Sequence, residues 1–183
     1  MDKRIGEKLK KNAPGTYKVL KYPERALIKK TKPLKEITTE TLSVISCMKE
    51  TLRKASGIGL AANQVGIPLR IMVMSVPSGE GEREEIALIN PEITEKFGKI
   101  YEDEGCLSFP GLYLRIKRSK SVKVNAVNEK GNKFIIEGDD FVARILQHEI
   151  DHLNGKTFLD RLPLFKRLSV KREIRRKIKK GEW

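Results

Sequence analysis

The chain contains two histidines, and they stand four residues apart in Gln147-His-Glu-Ile-Asp-His-Leu153. Around them Phe141, Val142, Ile145, Leu146 and Ile150 recur at three- and four-residue spacing, the period of a helix with one apolar face. Gly138 and Asp139 open this segment, with Asp139 suited to the N-cap, and Gly155 suits its C-terminal end. Once the segment is helical, His148 and His152 lie on one face, one turn apart, where they can share a metal ion. Glu149 is too close in sequence to be a natural further ligand beside His148. It can reach a water on the ion, take its proton and return that proton to a leaving group.

A catalytic metal site needs a third protein ligand and an open position. No histidine remains, so the ligand must be a cysteine or a carboxylate. Cys47 lies beside the apolar face Leu42, Ile45, Met48 and Leu52 of a helix predicted over residues 38–55, and reads as a buried core thiol. Cys106 lies in the short polar segment Glu104-Gly-Cys-Leu-Ser108. There Gly105 would let the backbone approach the metal closely, and the ion itself would deprotonate the thiol. Cys106 therefore leads Cys47 and the acids.

A length of 183 residues fits one domain, and 39% hydrophobic residues suffice for a core. No apolar run is long enough to span a membrane. The basic N-terminus, MDKRIGEKLKKNAPG, has no apolar centre or cleavage site, so no secretory signal is expected. Two cysteines without a signal point to a reducing cytoplasm rather than a disulfide scaffold. Residues 17–30 read as an extended opening segment punctuated by Pro23. Strands are predicted at 69–75 and 86–90, the second ended by Pro91, with a hairpin tip at 77–85. Further short strands are expected at 93–97, 113–116, 121–128 and 133–137. The expected fold class is α+β: short antiparallel and mixed strands pack around the central metal-binding helix, with an N-terminal and a C-terminal helix.

Three segments together resemble peptide deformylase: Gly57-Ile-Gly-Leu-Ala-Ala-Asn-Gln64, Glu104-Gly-Cys-Leu-Ser108 and Gln147-His-Glu-Ile-Asp-His-Leu153. They appear intact, in order and correctly spaced. Val19-Leu-Lys-Tyr-Pro23 looks like the family's usual opening, and the resemblance runs from about Tyr17 to Leu162. It implies a single catalytic domain over 1–183 that hydrolyses the formyl group from N-formylmethionine of nascent peptides. It also implies Cys106, His148 and His152 as metal ligands, with iron(II) the usual ion, nickel or cobalt good substitutes and zinc a weaker one. Glu149 matches the general base and acid. Gln64 and the backbone N–H of Leu107 match the groups that stabilise the oxyanion. Gly59 matches a residue that binds the substrate main chain, and Ile58, Phe141 and Ile145 are candidates for the methionine pocket. Glu104 and Arg118 resemble an ion pair that braces the cysteine loop. Two positions depart from the best-known bacterial form. Tyr113 stands where an arginine often lies, and Arg144 where an apolar residue does. The stretches around them, Leu107-Ser-Phe-Pro-Gly-Leu-Tyr113 and Ala143-Arg-Ile-Leu-Gln-His148, look more like the subclass of plant organelles and some bacteria.

Net charge is +14, which fits an anionic partner. The excess gathers in residues 164–183, where Val170, Ile174 and Ile178 form a thin apolar stripe among Lys166, Arg167, Lys171, Arg172, Arg175, Arg176, Lys177, Lys179 and Lys180. A docked, solvated helix over about 164–180 accounts for this pattern. In some deformylases the C-terminal helix docks on the ribosome, which implies ribosomal RNA as a partner here. Two rival functions remain at this point. A metalloprotease shares His-Glu-x-x-His but usually takes a downstream third ligand. A ribosome-binding protein with a vestigial site would have no reason to keep Cys106, His148, His152, Glu149 and Gln64.

Overall fold

The structure is a computed structural model, and it describes residues 15–79 and 81–183. The reading of the basic N-terminus as no secretory signal lies outside the described residues. Seven strands and three α-helices follow one another in those residues. Helix α1 is Thr39–Lys54. Strands β1 (Gly59–Ala61), β2 (Ile71–Pro77), β3 (Arg83–Phe97), β4 (Ile100–Cys106), β5 (Phe109–Arg118), β6 (Ser121–Val127) and β7 (Lys133–Asp139) come next. Helix α2, Asp140–Leu153, and helix α3, Leu164–Lys180, complete the order. None of these helices is long and apolar enough to cross a membrane.

Five strands form one sheet in the order β1-β2-β3-β6-β7, while β4 and β5 pair as a separate hairpin. Strand β2 shows why α1 and α2 end up on opposite faces. Its residues Ile71 to Ser75 are all buried, and side chains alternate across a sheet. Ile71 and Val73 enter one cluster with Ile45, Met48 and Leu52 of α1. Met72 and Met74 enter another with Ala143, Leu146 and Ile150 of α2. A third cluster joins Phe109, Leu114 and Ile116 of β5 to Phe158, Leu159 and, from α3, Val170 and Ile174.

The α+β class is as expected, with corrections of detail. All the ladders between named strands are antiparallel. The parallel contact is a single isolated bridge, Lys32 to Leu69. Pro91 does not end a strand: β3 runs through it, because the register of β3 on β6 shifts between Ile89 and Glu92. A bulge leaves the proline without a ladder bond to lose. Asn90 takes a positive φ of 52° there, and its side-chain amide bonds both backbone groups of Leu34 at 2.8 Å. Leu42, expected on the buried face of α1, is 40% exposed, because the face is centred on Thr41, Ile45, Met48 and Leu52 instead. Cys47 is buried in that cluster, beside Tyr17. Residues 25–28 form a 3-10 turn inside the segment read as extended. Asp139 sits at the N-cap of α2 without a side-chain cap bond. It still belongs to β7, paired with Ser121, so the sheet rather than a capping carboxylate sets where α2 begins.

Candidate metal centre

Three elements converge on one cavity of about 500 Å³. Helix α2 brings His148 and Glu149 to its wall and His152 behind them, all buried. The turn of the β4–β5 hairpin brings Cys106 and Leu107. Strand β1 and the 3-10 turn Ala62–Val65 that follows it bring Gly59 and Gln64. The Cys106 Sγ lies 3.2 Å from His152 Nε2, and the ligand atoms of Cys106, His148 and His152 all lie within 4.8 Å of one another. The Glu104 carboxylate bonds His148 Nδ1 at 2.9 Å, which fixes that ring and leaves its other nitrogen free to ligate. One thiolate and two imidazoles make a three-donor set that suits a divalent transition metal and keeps a position open.

Burial and neighbouring charges move the groups of this site in opposite directions. Burial works against a charge on His148, yet Cys106 and Glu104 overcome it and hold the imidazole's pKa well above its ordinary value. Burial, with the charge of His148 added, pushes His152 well below its own. Burial also lifts the Glu149 carboxyl to about 7, with His148 opposing the shift. One carboxylate oxygen of Glu149, Oε2, is buried with no hydrogen-bond partner among the described residues. Glu149 itself lines the cavity.

Gln64 is folded back on its own turn. Its Oε1 accepts from Ala61 N–H at 2.7 Å. Its amide nitrogen, 3.2 Å from Ser108 Oγ and 3.6 Å from Cys106 Sγ, is thereby aimed at the cysteine turn. Gly59 lies against Glu149: a Cβ there would stand 2.5 Å from Oε1 and 2.8 Å from Cγ. Gly105 has a neighbour that its segment did not announce. Pairing of β4 with β5 jumps from Glu104–Leu114 to Cys106–Phe109, so residues 110–113 loop out over a single residue. The Tyr113 ring then covers Gly105, where a Cβ would meet its Cε1 at 2.7 Å. The glycine makes room for the tyrosine ring.

Beneath the site Arg118 joins two carboxylates. Its Nε and Nη2 hold Glu104 at 2.8 and 3.0 Å, and its Nη1 bonds Asp151. Arg161 reaches the same Asp151 from the following 3-10 turn. Burial alone would raise the Glu104 carboxyl, but the hydrogen bonds from His148 and Arg118 hold it at about 2. Sequence reading placed the Glu104–Arg118 pair and missed Asp151 and Arg161. The available signal was an acid inside a helix segment whose neighbours are all core-facing, since such a residue must find a cation.

Ile58, Phe141 and Ile145 all line the cavity. Ile145 is buried, Ile58 half-buried, and Phe141 is 43% exposed at the mouth.

Comparison with known proteins agrees with these three converging segments. The family model described as polypeptide deformylase matches residues 16–168. The chain belongs to the peptide deformylase family. A peptide deformylase of Endomicrobium trichonymphae is 43% identical over 166 residues, covering 91% of this chain and 98% of the relative. One from Aquifex aeolicus is 46% identical over 147 residues, 80% of this chain and 87% of the relative. The crystal structure of a peptide deformylase from Legionella pneumophila superposes with a TM-score of 0.80 at 38% identity, covering 90% of this chain and 96% of that one. A plant peptide deformylase gives 0.80 and 38%, with 90% of each chain covered. The bacterial and the plant structure are thus equally similar to this chain, and the two stretches that hold Tyr113 and Arg144 carry the plant-like resemblance. Both residues line the cavity of this deformylase.

Proposed function

We propose that this chain hydrolyses the N-formyl group of N-formylmethionine at the start of nascent polypeptides and releases formate. The observation that carries the reading is Glu149: buried, with an unpaired carboxylate oxygen, in one cavity with Cys106, His148 and Gln64. Cys106, His148 and His152 would hold the metal, iron(II) in the cell, with zinc, nickel or cobalt as substitutes. When bound, the ion would supply Lewis acidity toward the formyl carbonyl and the attacking water. Glu149 takes the proton of the attacking water and passes it to the departing amine; its own pKa, lifted by burial to about 7, lets it do both near neutrality. The Gln64 amide and the Leu107 N–H donate to the oxygen on which charge develops. Ile58, Phe141 and Ile145 enclose the methionine side chain, and Gly59 lets the peptide main chain pass close to Glu149. Glu104 and Arg118 hold His148 in orientation.

Residues 1–183 act as a single catalytic unit, in the cytoplasm, where a site built on the Cys106 thiolate stays reduced. The exposed basic side chains of α3 contact ribosomal RNA. Deleting α3 would not test this contact, because Val170 and Ile174 belong to the core and Trp183 packs against it. Replacing Lys171, Arg175 and Lys179 by glutamate should abolish salt-sensitive co-sedimentation with ribosomes. Unchanged co-sedimentation would remove the ribosome from the proposal.

The activity is tested with the iron- or nickel-loaded protein on formyl-Met-Ala-Ser. Formate and one free amine should appear together while the peptide bonds stay intact. Peptide cleavage in place of formate release would identify a protease.

A further inference from the structure

The cysteine strand and the metal helix are tied together twice, in matching register. On β4, Glu102 and Glu104 are two residues apart and so point to the same side of the strand. On α2, Arg144 and His148 are four apart and share one face. Glu104 bonds His148. Glu102 bonds Arg144 through Nη1, which also donates to the Asp103 carbonyl at 3.3 Å. Two residues of strand advance about 6.7 Å, and four of helix about 6 Å. The two ties therefore form rungs of nearly equal spacing between strand and helix. The inner rung is buried and orients a metal ligand. The outer rung is partly open to solvent, with Arg144 side-chain exposure of 17% against 43% for Glu102.

The outer rung lies at the cavity. Arg144 and Asp103 line it together with Phe141 and Ile145. The guanidinium also stands 5.2 Å from the Phe141 ring centroid, so the same arginine that grips β4 holds this aromatic wall in place. Catalysis as proposed above uses neither Arg144 nor Glu102. We infer that the Arg144–Glu102 rung sets the width of the methionine pocket, and that these two residues determine which first side chain the enzyme accepts. An apolar pocket discriminates by shape, and a change equivalent to one methylene group shifts the preference about 10- to 200-fold. The rung keeps β4 and α2 at the separation that admits an unbranched side chain. Without it the hairpin can yield and a bulkier residue enters.

This inference rests on the deformylase reading, and the experiment separates the two. Formate release is measured for formyl-Met-Ala-Ser and formyl-Phe-Ala-Ser with metal-loaded wild type, Arg144→Leu, Glu102→Gln and the charge swap Arg144→Glu with Glu102→Arg. No release from the methionyl peptide by wild type would defeat the deformylase reading itself. With that activity in hand, each single variant should lower the Met-to-Phe ratio of kcat/KM by about tenfold, through KM for the phenylalanyl peptide. The charge swap should restore the ratio. Single variants that bind metal and keep the wild-type ratio, or a swap that restores nothing, would overturn the assignment of specificity to this pair.

Discussion

Adding one methyl group at Gly59 should disable Glu149 without touching the metal ligands. The Cβ of Gly59→Ala would lie 2.5 Å from Glu149 Oε1, 2.8 Å from Cγ and 2.9 Å from Cδ. Ordinary contact between heavy atoms needs about 3.5 Å, so the carboxyl must retreat by about 1 Å. Gly59 is absent from the positive-φ glycines, so its backbone accepts alanine and the strain falls on Glu149. A misplacement of about 1 Å in a reacting group costs roughly a hundredfold in rate, or about 2.7 kcal/mol in the barrier. The assay is steady-state formate release from formyl-Met-Ala-Ser, with metal content and thermal melting measured on the same sample. The loss should fall on kcat, with one metal per chain retained, whatever the methyl adds to KM at the peptide main chain. A rise in KM alone would place the methyl in the path of the peptide, and an unchanged kcat would show that Glu149 has room to spare. Either result refutes the reasoning from this contact.

Other substitutions probe the parts around it. Arg118→Met leaves Glu104 and Asp151 buried without their shared cation; it should destabilise folding by about 3–5 kcal/mol in a denaturant titration and weaken metal affinity about 10- to 100-fold in competition with a chelator. Gln64→Leu removes the amide aimed at the cysteine turn. It should lower kcat about a hundredfold or more at full metal occupancy, and a loss confined to metal content would assign Gln64 a structural role instead. Trp183 donates its indole N–H to the Tyr22 carbonyl at 2.6 Å and meets Phe109 edge-on. Trp183→Ala should therefore cost about 1–3 kcal/mol of stability, read from the denaturant midpoint.

The parts of this molecule that could be read from sequence are those with a short period or a local chemical signature. The helix carrying His148 and His152 follows from spacing alone, and Cys106 stood out because its segment was polar while that of Cys47 was not. Strand β4 escaped, because Ile100-Tyr-Glu-Asp-Glu-Gly-Cys106 carries three acids and reads as a loop. Its Glu104 is buried by partners far away in sequence: the family resemblance named Arg118, while no local pattern announced the bond to His148. The same holds for Asp151 and for the Arg144–Glu102 contact across 42 residues. Pro91 misled for the opposite reason: a local rule for strand endings gave way to a bulge that only the partner strand β6 reveals.

The central claim is that Cys106, His148 and His152 hold the metal while Glu149 performs the proton transfers. Glu149→Gln keeps the shape of the side chain and removes its basicity, so one measurement on this variant tests the claim directly. Metal stoichiometry and formate release should be determined on the same iron- or nickel-loaded preparation. The expected result is one ion per chain, as in wild type, with turnover lowered by about 10²- to 10⁴-fold. A variant that holds its metal and still releases formate at the wild-type rate would contradict the account.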